Sequence, residues 1–110
     1  TLISYSNELT KQILNFLFKE KAFAWRANTM GVFDRSMGIY RTAPKKGVSD
    51  VLCCFRGQFI AIEVKSPKDK PTPEQSGFIS NVNSCGGLAC VVHDFDEFLD
   101  FWNKTVLIEC

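Results

Sequence analysis

Residues 50–75, DVLCCFRGQFIAIEVKSPKDKPTPEQ, decide how this chain folds. DVLCCFR (50–56) and QFIAIEVK (58–65) are strand-like runs that meet at Arg56-Gly57. Two such runs joined by so short a link predict an antiparallel hairpin. SPKDKP (66–71) is a polar loop with two prolines. TPEQ (72–75) then opens a helix: Thr72 is the N-cap, Pro73 takes the first helical position and Gln75 closes a capping box. Gly86-Gly87 stops that helix. LACVVH (88–93) is a buried strand, and Asp94 with Glu97 opens a last helix reaching about Asn103. A helix between two strand runs makes one parallel crossover beside the hairpin. The expected fold class is therefore α/β, a mixed β-sheet flanked by helices.

Upstream, residues 4–21 have Leu9, Ile13, Phe16 and Leu17 at helical spacing. Ser4 or Ser6 can cap this helix, and Glu8 lies in its first turn, where the helix dipole favours a carboxylate. Residues 22–28 (AFAWRAN) read as a first strand. Residues 29–49 read mostly as loop, with a possible short strand at 38–42. The order is α-β-(β)-β-β-α-β-α. No repeat or low-complexity segment interrupts it, so residues 1–110 are expected to form one domain.

Composition excludes several classes. The chain is 45% hydrophobic with ten Phe, enough apolar material for a packed core. No apolar run approaches the ~18 residues of a membrane span. The residues present show no signal-peptide pattern, and the expected setting is the reducing cytoplasm. Five cysteines at 53, 54, 85, 90 and 110 form no CxxC pair, and there is one His. A zinc site or a secreted disulfide framework would need a better set, so the thiols read as small buried core groups. The net charge of +1 makes no case for nucleic acid in bulk. Its distribution does. Residues 35–70 carry eight cations, Arg35, Arg41, Lys45, Lys46, Arg56, Lys65, Lys68 and Lys70, against three acids. Residues 89–110 carry five acids against one Lys. A basic segment of this kind contacts phosphates without reading bases, although a solvated basic loop has the same composition.

The chemistry sits at Asp50, Glu63-Val64-Lys65 and Gln75. A two-residue turn at Arg56-Gly57 sets Phe55 opposite Gln58, Leu52 opposite Ala61 and Asp50 opposite Glu63. Opposed residues point to the same side of the sheet, and the strand period of two adds Lys65 to that side. Two carboxylates and an ammonium then converge at one end of the hairpin. Adjacent carboxylates repel, and a divalent cation removes that cost; an all-oxygen site suits Mg²⁺ or Mn²⁺ rather than zinc. The Val64 carbonyl lies between the two charged side chains and can add an oxygen. Such an ion polarises a phosphate, while Lys65 can orient or deprotonate a water and stabilise growing negative charge.

Each residue also has a plain structural reading. E-x-K is expected about 0.5 times by chance at this composition. Asp50 suits a turn after Gly47-Val48-Ser49, Glu63 and Lys65 suit a surface ion pair, and Gln75 suits the capping box. The conjunction, in its structural context, favours the catalytic reading. His93 reads as a strand-end residue, and Phe95, Phe98, Phe101 and Trp102 as a packed helix face or part of a dimer interface.

With these residues in order, GVSD (47–50), IEVKS (62–66) and TPEQ (72–75), the chain resembles the PD-(D/E)xK nuclease superfamily, and most closely its VRR-NUC branch, over roughly residues 8–93. The family usually has Pro before the Asp; here it is Ser49. The resemblance implies a restriction-endonuclease-like fold and a Mg²⁺- or Mn²⁺-dependent endodeoxyribonuclease hydrolysing phosphodiester bonds. It implies Asp50, Glu63 and the Val64 carbonyl as metal ligands, with Lys65 as the catalytic lysine and Gln75 as a further catalytic-site residue. Glu8 would reach the site as a ligand or through water, or else serve only the helix dipole. Arg41, Lys45, Lys46, Lys68 and Lys70 are the expected DNA contacts. Standalone members resemble junction resolvases, which implies a homodimer cutting four-way (Holliday) junctions and a phage or mobile-element setting. The competing readings are a monomeric nicking or flap-directed nuclease, a catalytically inactive DNA-binding module, and a globular interaction protein whose motifs are chance.

Overall fold

The helical spacing of Leu9, Ile13 and Leu17 winds residues Tyr5–Lys19 into α1, with those three side chains buried. Ser4 caps it by accepting the Asn7 N–H at 3.2 Å. The computed structural model describes residues 4–27, 32–41 and 46–110. After α1 come β1 (Phe23–Arg26), β2 (Val32–Asp34), β3 (Ile39–Arg41), β4 (Val51–Phe55), β5 (Gln58–Val64), α2 (Pro73–Ser84), β6 (Leu88–Val92) and α3 (Phe95–Phe101). α3 passes through a π-helical turn, Trp102–Val106, into a final short helix α4 (Leu107–Glu109).

The main sheet has the order β1-β4-β5-β6. β1 and β5 flank β4 antiparallel, and β6 joins β5 in parallel after the α2 crossover. The sheet is thus mixed and flanked by helices, as the sequence order requires. The hairpin register is the expected one, with Phe55 opposite Gln58 and Leu52 opposite Ala61. Its turn places both Arg56 (φ 52°) and Gly57 (φ 81°) in the left-handed region. Two positive φ angles match the twist of a two-residue hairpin. For Arg56 that conformation costs about 1–2 kcal/mol. Its guanidinium lies 4.8 Å from the Phe55 ring centroid, a cation–π contact that offsets part of the cost.

The strand period divides the sheet into two faces. Val51, Cys53, Phe55, Ile60, Ile62, Val64 and Val92 point to one and are buried. α1 and α3 cover this face, bringing Phe98, Trp102 and Val106, all fully buried. Phe16 meets Phe98 and Trp102 edge-on at 5.3 and 5.5 Å. The other face carries Phe23, Trp25, Leu52, Cys54, Phe59, Ala61, Glu63, Ala89 and Val91, by register with the first set. α2 crosses β5 and β6 on this side and buries none of its own residues completely. Asn83 fastens it by accepting the Ala89 N–H (2.9 Å) and donating to the Ala89 carbonyl (3.2 Å).

Three sequence expectations change. Residues 32–34, read as loop, form β2 and pair with β3 as a separate two-stranded sheet. A three-residue run is too short for strand alternation to register in the sequence. The last helix does not end near Asn103 but runs to Glu109, because no Gly or Pro stops it and Val106 continues the buried row of Phe98 and Trp102. Cys54, read as core, is exposed because α2 leaves the β4 half of its face open, and Cys85, at the C-terminal cap of α2, is exposed as well. Burial pushes the Cys53 and Cys90 thiols up to about 12, which keeps both protonated and inert. No described helix is long and apolar enough to cross a membrane.

Candidate active site

Asp50 stands just before β4, on the loop that follows Gly47. Its carbonyl accepts the Ala27 N–H at 2.8 Å, which holds it against the end of β1. Its carboxylate Oδ2 accepts the Val64 N–H, also at 2.8 Å. An extended residue turns its N–H and C=O to the same edge of the strand, so the Val64 carbonyl faces the Asp50 side too. The Asp50 carboxyl lies close enough to the Glu63 carboxyl to raise it. The expected opposition of the two acids is therefore the arrangement present.

Glu63 is 1% exposed, and its Oε1 has no hydrogen-bond partner. Burial, then the neighbouring Asp50 carboxyl, push its carboxyl up to about 9, against the lowering pull of Lys65 and of the Val64 N–H. The Lys65 N–H donates to the Val92 carbonyl at 3.0 Å, so the β5 ladder continues one residue beyond the strand. The strand period then keeps Lys65 on the face of Glu63. A buried carboxylate oxygen without a donor, beside a second carboxyl and a strand carbonyl, is a hard-oxygen environment lacking positive charge. It fits a small divalent cation.

Gln75 sits at the N-terminus of α2, and its side-chain oxygen accepts the Thr72 N–H at 2.8 Å. Thr72 Oγ1 accepts the Gln75 N–H at 3.2 Å, which completes the capping box. The Gly47 turn is pressed against this helix end. With φ at 79°, an added Cβ would collide with the Glu74 carbonyl and come within 2.8 Å of the Gln75 nitrogen. Glycine thereby lets the Asp50 loop dock on the capping box, and the two sequence motifs become neighbours.

Glu8 is exposed in the first turn of α1 and does not join the pair. Among the described residues no three His, Cys, Asp or Glu side chains gather as a metal cluster. Lys68 and Lys70 are exposed on the Ser66–Pro71 loop, and Lys46 is exposed beside Gly47. Arg41 belongs to β3, and Lys45 lies outside the described residues. Arg56 does not border the site: it occupies the far end of the hairpin, seven residues and about 23 Å along the strand from Glu63.

His93 stands at the end of β6 and against the start of α3, as read from the sequence, and its partners go further. Its N–H donates to Glu97 Oε1 (2.6 Å), its carbonyl accepts the Tyr5 hydroxyl (2.7 Å), and its Nε2 lies 3.2 Å from the Asp69 carbonyl. It joins the start of α1, the start of α3 and the Lys68–Lys70 loop. A single His next to Asp in sequence carries no signal of such a junction. Ser49 is fully buried with its Oγ unpartnered.

The VRR-NUC domain family matches residues 4–95, from the cap of α1 into α3. The chain belongs to the VRR-NUC family. No curated protein matches it. VRR-NUC membership makes it a nuclease of the PD-(D/E)xK kind, and its mixed sheet is consistent with the restriction-endonuclease-like fold.

Proposed function

We propose that this VRR-NUC protein is a divalent-cation-dependent endodeoxyribonuclease that acts on branched DNA, cutting four-way junctions as a homodimer. One observation carries the reading: Glu63 is buried with an unpartnered oxygen, in contact with Asp50 and on the face of Lys65. In this reading Asp50, Glu63 and the Val64 carbonyl hold Mg²⁺ or Mn²⁺. Such a cation, when bound, would supply charge neutralisation for the two carboxylates and Lewis-acid polarisation of the scissile phosphate.

The chain's own groups do the rest. The Val64 N–H fixes one Asp50 oxygen, which leaves the other free to coordinate. Lys65 orients the attacking water and stabilises charge that builds on the phosphate oxygens. Gln75 keeps the α2 terminus, and with it the Gly47–Asp50 loop, in place. Lys46, Lys68 and Lys70 contact phosphates on either side, together with Arg41 and Lys45. Glu8 acts through water rather than as a direct ligand. Two copies related by a twofold axis would present two such sites to the symmetric arms of a junction.

The test is cleavage of a labelled four-way junction and of a linear duplex in Mg²⁺, Mn²⁺ or EDTA, beside Glu63→Ala. Symmetric cuts in the junction alone, lost in EDTA and in the variant, are expected. Metal-dependent cutting of every substrate would keep the nuclease and remove the junction. Retained DNA binding without cleavage in either metal would leave a binding module.

A further inference from the structure

The catalytic carboxylates share their sheet face with an uncovered row of aromatic side chains. α2 crosses β5 and β6 and leaves β1 and β4 open: on β1 Phe23 is 73% exposed and Trp25 42%, while Phe59, on β5 beside the end of α2, is 42% exposed. Register orders them relative to the site. Trp25 lies opposite Leu52, one same-face step along the strands from Asp50, or about 7 Å. Phe23 lies opposite Cys54, which lies opposite Phe59, one further step away, about 14 Å from Asp50. Phe23 and Trp25 stand with ring centroids 5.2 Å apart. Beyond Phe23 a hollow of about 550 Å³ is lined by Phe18, Lys19, Lys21, Ala22 and Phe23. Arg56 closes the same end of the sheet, at the hairpin turn. Cations thus stand at both ends, Lys65 at the site and Lys19 and Lys21 beyond the rings, with Glu20 as the acid among the latter.

We propose that this open half-sheet is a stacking track for unpaired bases of the DNA strand that leaves the Asp50–Glu63 site. Aromatic faces in line with cations are the arrangement that holds single strands: rings stack on bases of any sequence, and cations follow the phosphates. Charge decides against a second copy of the chain as occupant. A twofold contact sets a patch against the same patch of a second copy, which would gather two sets of Lys19 and Lys21 in one interface. A phosphate backbone complements them. The inference rests on the nuclease reading for where the strand comes from, but the binding surface is tested without cleavage.

The experiment titrates labelled oligothymidine and a blunt duplex of equal length, in EDTA, with the full chain and its Trp25→Ala and Trp25→Phe variants. Trp25→Ala is expected to lose about 5- to 150-fold in oligothymidine affinity, the range of one stacked base, and less on duplex. Trp25→Phe should recover most of that loss. Circular dichroism verifies folding, and Phe23→Ala, at a more exposed position, gives a second variant with the same expected direction. Unchanged oligothymidine affinity in both alanine variants, or an equal loss on duplex, overturns the track. A dimer by light scattering that Trp25→Ala converts to monomer, with oligothymidine affinity retained, also overturns it in favour of a protein interface. If the chain cleaves no DNA in either metal, the nuclease reading fails alone, and the EDTA titration still decides the track.

Discussion

Replacing Glu63 by Gln is expected to stabilise the cation-free protein at neutral pH while removing its activity. The Glu63 carboxyl stands at about 9 in the folded chain against its ordinary 4.5. Below 4.5 both states hold the proton, so this group leaves stability flat. Between 4.5 and about 9 the folded chain holds the proton and the unfolded chain has released it. Rising pH then favours unfolding by about 1.4 kcal/mol per pH unit. From pH 4.5 to 7 the loss amounts to about 3 kcal/mol, and above about 9 it levels off. Gln has no proton to lose and nearly the same shape, so Glu63→Gln escapes this fall. The gain over wild type should be near zero at pH 4.5 and about 3 kcal/mol at pH 7, a urea midpoint shift on the order of 1–3 M. Fluorescence of the buried Trp102 reports unfolding, and the measurement is made in EDTA at pH 4.5, 6, 7 and 8. Added Mg²⁺ should raise wild-type stability and leave the variant unmoved, since a ligand stabilises only the state that binds it. A variant less stable than wild type at pH 7, or a difference independent of pH, would refute the argument that Glu63 is a buried acid awaiting a cation.

Three further outcomes follow from the geometry. Lys65→Ala should lower the cleavage rate by about 10²- to 10⁴-fold, the range for a proton-transfer group, with Mg²⁺ still stabilising the fold in thermal melts. Gly47→Ala should cost at least about 1–2 kcal/mol for the left-handed backbone alone, with a further cost from the collision with the Glu74 carbonyl. A melting temperature equal to wild type would show that the Gly47 loop does not dock on α2. Ser49→Ala removes a buried hydroxyl that has no partner, so it should be neutral or stabilising by up to about 1 kcal/mol. A clear loss of stability in denaturant titration would mean that the hydroxyl is hydrogen-bonded in solution.

Most of the frame was legible because it depends on local chemistry. The capping box of Thr72 and Gln75, the Asp94 cap and the periodicity of Leu9, Ile13 and Leu17 act within a few residues, where spacing and side-chain type suffice. The hairpin register followed from the turn length, and with it the meeting of Asp50 and Glu63. What the sequence could not supply was the surroundings of each residue. A Glu in an E-x-K triplet has the same spelling on a solvated strand and in a sealed one. Cys53 and Cys54 are neighbours of equal hydrophobicity, yet one is buried and the other exposed. The difference lies in which sheet face a helix covers, and that depends on how far α2 reaches across the strands.

The sequence by itself determined the order of the elements, the pairing of the hairpin and the identity of the candidate site residues. Only the tertiary structure decided that Glu63 lacks a donor, that Gly47 lies against the α2 terminus and that Phe23, Trp25 and Phe59 remain uncovered beside the site. Helix caps and strand alternation are set by neighbours along the chain. Burial and exposure are set by segments brought together from 20 or more residues away, whose relative placement no local pattern specifies.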